Sequence, residues 1–385
     1  MQVSTRVRKV QPAVIQEIFH EIARSKGTIS LGQGVPFFGP PEDALVHFED
    51  AYKKASAHTY GQDAGYDALR IAIAEKLKNE NSLTVSPENE LMITAGANHA
   101  FFNSILALCD KGDEVILLSP YYFNHEMAIR LINCKPVIVP TTENYQLDLE
   151  RIEERITKRT KAIVTISPNN PTGAVYTRSS LDELNKLCAD LEIMHISDET
   201  YEYFIYDGKQ HYSPGKEHRE STINIFSFSK SYGMSGWRVG YMTFPEQLFE
   251  QLLKIQDTIL ICPSLPSQLL ALECLKVGSK YTKKFLPQIE ESRNIIYSYL
   301  KELEPILRTP RTNGAFYFYC KLDTHLPSKR IAYQLIRDYK VAVVPGETFG
   351  ESAETTFRIS YGNVRPEIAR KGMERFSKGI REIVV

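Results

Sequence analysis

Three polar residues, Asn170, Asp198 and Lys230, each stand just beyond a strand-like apolar run, at intervals of 28 and 32 residues. A strand–crossover–strand unit takes roughly 30 residues or more, so this spacing suits neighbouring parallel strands that end along the same edge of one sheet. Open α/β folds bind their ligands outside that carboxyl edge. The three runs cover 161–166, 192–197 and 225–229. A helix fills the first interval and opens on a capping-box pattern, Ser180-x-x-Glu183. The second interval, from Glu199 to Ser221, is mostly polar and has no helical period, so an irregular crossover is expected there.

The same alternation of strand and helix patterns extends through most of the 385 residues and favours an α/β fold with a largely parallel sheet. A short helix over 12–25 ends near Gly27, and the Gly- and Pro-rich stretch 31–41 reads as a loop. A helix over 68–77 precedes a strand over 90–94, after which Ala95-Gly-Ala-Asn98 opens a helix that runs to Leu108. A strand over 114–118 is closed by Ser119-Pro120. Past residue 280 the pattern changes to a long amphipathic helix (280–306, with Pro287 expected to kink or break it), strands near 315–320, 341–344 and 356–360, and a final helix over 366–383. The division expected is a large domain over 45–280, with residues 1–44 and 281–385 forming a smaller α/β domain.

Composition narrows the class of function. With 46 Lys and Arg against 47 Asp and Glu, spread along the chain, nothing favours a nucleic-acid or membrane-surface partner. Arg6, Arg8 and Lys9 read as a solvated terminus. The six cysteines form no C-x-x-C pair and lie in apolar or mixed surroundings, which suits buried thiols in a reducing compartment better than disulfides or zinc ligands. There is neither a long apolar leader nor a stretch able to cross a bilayer. The expectation is a soluble, cytoplasmic protein with no metal.

Lys230 lies in Asn224-Ile-Phe-Ser-Phe-Ser-Lys-Ser-Tyr-Gly-Met-Ser-Gly-Trp-Arg238, with Ser227 three positions before it and Arg238 eight after. An amine crowded by hydroxyls and glycines beside another cation has the surroundings that lower a Lys pKa and make it nucleophilic. Covalent attachment of pyridoxal 5′-phosphate, with Ser and Arg for the phosphate, uses such a set. Asp198, in Ser197-Asp-Glu-Thr-Tyr201, is by itself a common turn or N-cap residue. Beside such a cofactor its carboxylate would keep the ring nitrogen protonated. Asn170, in Asn169-Asn-Pro-Thr-Gly173, is held extended by the following proline. Gly96-Ala97-Asn98 at a helix start offers free N–H groups to an anion. Arg358, in Phe357-Arg-Ile-Ser-Tyr-Gly362, interrupts an apolar strand and suits bidentate capture of a carboxylate.

In this order, Asn-Pro-Thr-Gly at 170–173, Ser-Asp-Glu-x-Tyr at 197–201, Ser-x-x-Lys at 227–230, Arg238 and Arg358 resemble the class I/II aminotransferases, the fold-type I enzymes that depend on pyridoxal phosphate. The resemblance runs from Leu31-Gly-Gln-Gly34 to Phe357-Arg-Ile-Ser360. It implies a mostly parallel seven-stranded sheet flanked by helices, with one antiparallel strand at 238–243. Lys230 would hold the cofactor as a Schiff base and then move the Cα proton. Asp198 would pair with the ring nitrogen, Tyr201 and Asn170 with the ring oxygen, and Tyr122 would stack on the ring. Ser227, Arg238 and the backbone of Ala97 and Asn98 would hold the phosphate. Tyr60, in Thr59-Tyr-Gly-Gln-Asp-Ala-Gly65, matches a tyrosine that reaches the partner subunit's phosphate, so a homodimer with shared active sites is implied. Arg358 would take the substrate carboxylate, and Gly34 would let the N-terminal segment approach it.

The implied reaction is ping-pong transfer of an amino group from an L-amino acid to a 2-oxo acid. The segments 96–103, 119–124, 201–208 and 254–263 look most like aromatic and methionine aminotransferases, which favours large apolar side chains. Aspartate with 2-oxoglutarate is the alternative. A Lys just inside the phosphate-site helix marks one aspartate-specific branch, and Asn98 stands there in this chain, followed by His99, read as a satisfied helix-start histidine. Carbon–sulfur β-lyases share the fold and the Lys230 chemistry, and release of pyruvate and ammonia from cystathionine would distinguish them.

Overall fold

The computed structural model describes residues 2–12, 14–350 and 355–384. At its centre is a seven-stranded sheet in the order Leu91–Thr94, Gly240–Thr243, Thr222–Ser227, Met194–Asp198, Thr160–Ile166, Glu114–Ser119, Lys135–Pro140. Gly240–Thr243 runs antiparallel to both its neighbours, and every other pairing in the sheet is parallel. The antiparallel strand expected at 238–243 is therefore present, two residues shorter than the sequence suggested.

Near-continuous apolar strands are what a parallel sheet needs, because helices cover both of its faces. The period of two is visible in Glu114–Ser119. Val115 and Leu117 join one buried cluster with Phe101, Ile129 and Leu252, while Ile116 and Leu118 join another with Leu181, Leu184 and Cys188. A third cluster seats Ile93, Phe226 and Tyr241 under helices Asp67–Lys76 and Leu265–Val277.

The strand ends align as the spacing required. Ile166, Asp198 and Ile225 are successive partners across three parallel strands, so the loops that follow all leave from one edge. The crossover from Asp198 to Thr222 contains no α-helix, only the 3-10 turn Arg219–Ser221, in keeping with its polar sequence.

Several local expectations are corrected. The helix of the first crossover is Arg178–Asp190, and its N-cap is Thr177, whose hydroxyl accepts from the Ser180 N–H at 3.2 Å. Ser180 and Glu183 thus sit inside the helix and form no capping box. Glu192 takes a left-handed turn conformation (φ 54°), which delays the next strand to Met194. The strand before Lys230 ends at Ser227, and Phe228–Ser231 is one helical turn, started by the Ser227 hydroxyl accepting from the Ser229 N–H at 3.1 Å. The long helix expected over 280–306 is two helices, Lys280–Lys283 and Leu286–Glu302. Pro287 stands in the first turn of the second, where its missing N–H costs nothing.

A second, four-stranded antiparallel sheet has the order Val344–Pro345, Thr355–Ser360, Tyr317–Leu322, Leu307–Arg308. Helices Leu286–Glu302, Ser328–Tyr339 and Pro366–Val384 contribute to its core. Ile29–Ser30 pairs in parallel with Val341–Ala342, and the Ser360 N–H donates to the Leu31 carbonyl at 2.6 Å. The N-terminal segment is thereby fastened beside Arg358. All six cysteines are free thiols. Cys134, Cys188, Cys274 and Cys320 are buried, and Cys109 and Cys262 are partly exposed. Among the described residues no helix is long and apolar enough to cross a membrane.

Candidate active site

A cavity of about 320 Å³ opens where the carboxyl edge of the large sheet meets the small sheet and the N-terminal segment. Gly34, Ala97, Asn98, Tyr122, Asn170, Asp198, Tyr201, Ser227, Lys230, Arg238 and Arg358 all line it. Of the residues singled out in the sequence, Tyr60 is the exception. It is 80% exposed and lies outside the cavity of its own chain.

Lys230 points from its helical turn across the cavity and donates to the Gly34 carbonyl at 2.7 Å. Burial, the guanidinium groups of Arg358 and Arg238, and partial compensation by Asp198 bring its amine down from 10.5 to about 8. Far more of it is therefore neutral near pH 7 than of an ordinary lysine, and only the neutral amine is nucleophilic.

Arg358 is buried in the middle of Thr355–Ser360 and has no carboxylate partner among the described residues. Its Nη1 donates to Asn170 Oδ1 at 2.9 Å and its Nη2 to the Gly32 carbonyl at 2.8 Å, while Nε is left without a partner. A buried guanidinium unopposed by a carboxylate is costly unless an anion is to come. Asp198 is the buried counter-charge. One oxygen accepts from the Thr200 N–H at 3.0 Å, and the other faces His125 Nε2 at 3.4 Å. Tyr201 is buried beside it, and burial holds its phenol far above the ordinary range.

At the far end, Arg238 lies against the start of helix Ala97–Leu108. Its guanidinium donates to the Ser235 and Ala95 carbonyls at 2.9 and 3.4 Å. Gly96 (φ 83°) leaves room for it, because a Cβ there would come within 2.6 Å of Nη2. The first N–H groups of a helix have no intrahelical acceptor, so Ala97, Asn98 and Arg238 present donors to one spot. His99 is turned away. Its Nδ1 accepts from the Ala95 N–H at 3.1 Å, and burial lowers it to about 4, keeping it neutral.

In and behind the cavity wall stand residues that sequence reasoning missed. His125, stacked on Phe101 at 3.9 Å, sits behind Asp198. No sequence spacing links it to a residue 73 positions away, although it follows Tyr122 by one helical turn. Ile15 and Phe19 reach the opening from helix Val14–Arg24. That helix is fixed to Ser328–Tyr339 by Glu17 with Lys329 (2.6 Å) and Tyr333 (3.0 Å), and by Glu21 with Arg337 (2.6 Å). Phe123, Thr200 and Tyr317 also line the cavity.

An α/β fold that gathers a lysine of lowered pKa, a buried carboxylate and two guanidinium groups with no carboxylate partner among the described residues around one cavity fits an aldehyde cofactor that carries a phosphate. The sequence matches the family described as aminotransferase class I and II over residues 26–376, and the chain belongs to it. It is similar to aromatic-amino-acid aminotransferase 2 of Thermococcus litoralis (34% identity, 99% of each chain) and to an aspartate aminotransferase of Pyrococcus abyssi (35%, 99% of each). The fold superposes on the crystal structure of an aromatic aminotransferase from Pyrococcus horikoshii with a TM-score of 0.88, at 34% identity over 95% of this chain and 99% of that one. The protein is an amino-acid aminotransferase, and its family depends on pyridoxal phosphate. The residues present fit that group. The cationic cavity asks for a phosphate and a carboxylate, Lys230 suits the aldehyde, and Asp198 is the one acid among the described lining residues.

Proposed function

We propose that the protein moves the amino group of a large apolar L-amino acid, aromatic or methionine, to a 2-oxo acid, with pyridoxal phosphate carried on Lys230. The observation behind the substrate choice is the use of cations. Lys230, Arg238 and Arg358 are the cavity's cations among the described residues, and each has a task other than meeting a side-chain carboxylate. Ile15, Phe19 and Phe123 instead give the opening an apolar wall, which suits an aromatic or thioether side chain.

Bound pyridoxal phosphate supplies a carbonyl carbon to which an amine can attach and a ring that accepts the electron pair left on Cα. The chain's residues supply the rest. Arg238, Ser227 and the N–H groups of Ala97 and Asn98 hold the phosphate. Asp198, which has His125 behind it, would keep a proton on the ring nitrogen, while Asn170 and Tyr201 would donate to the ring oxygen and Tyr122 would cover one face. Arg358 would fix the substrate carboxylate and so aim the Cα–H toward Lys230, whose neutral amine would take that proton and return it to the former aldehyde carbon, on the far side of the nitrogen.

Asn98 and Arg238 are exposed in the single chain, so the phosphate end of the cavity is open. The exposed Tyr60, with Ile259, Leu260 and Ile261 also exposed, supports a homodimer in which the partner's Tyr60 closes that end.

Mixing the cofactor-loaded protein with each of the twenty amino acids in turn, and following the visible absorbance, tests the assignment. Phenylalanine, tyrosine, tryptophan and methionine should discharge it fastest. Fastest discharge by aspartate or glutamate would contradict the substrate reading.

A further inference from the structure

Tyr201 is backed by a second buried phenol. The hydroxyl of Tyr317 lies 2.7 Å from that of Tyr201, with the two rings at 78° and their centroids 5.5 Å apart. Tyr317 is fully buried. The loop after Asn170 puts it there. Gly173 (φ 75°) presses so close that a Cβ would lie 2.5 Å from the Tyr317 carbonyl, and Gly314 N–H donates to the Gly173 carbonyl at 2.8 Å. On the other side the Arg358 guanidinium sits 4.5 Å over the Tyr317 ring. A Cβ on Gly34 would come within 2.6 Å of the Tyr317 hydroxyl.

Counting donors fixes the bonds from Arg358 through Asn170 to Tyr201 and leaves two choices between the phenols. Arg358 can only donate, and its bond to Asn170 Oδ1 turns the Asn170 amide so that Nδ2 donates to the Tyr201 oxygen at 3.4 Å. The two phenols share one line and need one proton on it. If Tyr201 donated along that line, it would have no proton left for the cavity. If Tyr317 donates, both acceptor sites of the Tyr201 oxygen are filled and its single proton must point into the cavity.

We propose that Tyr317 is a positioning residue, whose hydroxyl commits the Tyr201 proton to the cavity and whose ring supports the Arg358 clamp. The inference rests on the cofactor reading above, since the oxygen Tyr201 meets there is the pyridoxal ring oxygen. A hydroxyl that accepts a hydrogen bond is a stronger donor. Without the Tyr317 hydroxyl, Tyr201 therefore holds the ring oxygen less firmly. More negative charge stays on that oxygen, and the proton on the Lys230 nitrogen is released at higher pH. The other charged groups facing that nitrogen are Asp198, Arg238 and Arg358, and Tyr317→Phe leaves all three in place.

The test is a spectrophotometric pH titration of the visible band in cofactor-loaded wild type, Tyr317→Phe, Tyr201→Phe and the double variant, each first checked by circular dichroism. Tyr317→Phe should raise the pKa of the band by about half a unit or more and Tyr201→Phe by more. The double variant should match Tyr201→Phe alone, because Tyr317 acts through Tyr201. A wild-type pKa in Tyr317→Phe, or additive shifts in the double variant, would overturn the proposal. A second readout concerns the ring. Tyr317→Leu should raise KM for the amino acid while Tyr317→Phe should not, and equal KM values in the two would refute the support of Arg358. A wild type with no visible band at all would instead remove the cofactor reading, and this inference with it.

Discussion

Arg358 and Asn170 are 188 residues apart in the chain and are joined by a 2.9 Å hydrogen bond between Nη1 and Oδ1. The bond ties the small sheet to the edge of the large one at the point where substrate and cofactor would meet. The proposed carboxylate clamp and the proposed ring-oxygen donors are thus parts of one connected network, and a change at either end is felt at the other.

Arg358→Ala should raise KM for every amino acid tested, by roughly a hundredfold, since a buried charge-assisted pair is lost. Steady-state kinetics with phenylalanine, methionine and alanine would check this. A rise confined to dicarboxylic substrates would mean that Arg358 reads the side chain instead.

Asp198→Asn should keep the cofactor attached and lower the rate of Cα proton exchange by about a hundredfold or more, because the ring nitrogen loses its counter-charge. Deuterium exchange at Cα, followed by NMR, reads that step directly. An undiminished exchange rate would reject the charge role of Asp198.

Lys230 links the site to stability in the cofactor-free protein. Its amine is held at about 8 in the folded state against an ordinary 10.5. Between those values the unfolded chain binds more protons, so stability rises with pH across that window, and the full penalty is present below it. Lys230→Met should therefore be more stable than wild type at neutral pH by on the order of 3 kcal/mol. In urea titrations of the cofactor-free proteins the gap should shrink as pH climbs past 8 and close near 10.5. A gap that does not change with pH would contradict the burial of a charged amine.

Phe19→Ala should lower kcat/KM for phenylalanine about tenfold while leaving alanine nearly unchanged, the usual worth of one apolar contact at a pocket wall. Equal losses on both substrates would place Phe19 in helix packing rather than selection.

Much of this architecture was legible in the chain because its determinants are local. Continuous apolar runs give the strands, and the regular spacing of Asn170, Asp198 and Lys230 follows from the length of a crossover. Boundaries failed where a single side chain decides them. The Thr177 hydroxyl captures the helix start from Ser180, and the break expected at Pro287 falls just before it, because a proline is tolerated in a first turn. The site residues left unread, His125, Phe19 and Tyr317, are defined by partners far away in sequence. Tyr317 meets Tyr201 across 116 residues, and Phe19 reaches the cavity because Glu17 and Glu21 are held by Lys329 and Arg337. Patterns of spacing within one segment carry no trace of such contacts.

Borohydride reduction of the protein loaded with pyridoxal phosphate, followed by peptide mapping, addresses the reactive amine itself. The label should fall on the peptide that contains Lys230 and be absent from Lys230→Ala. Label on any other lysine, or label that persists in the variant, would contradict the assignment of Lys230 as the cofactor's attachment point.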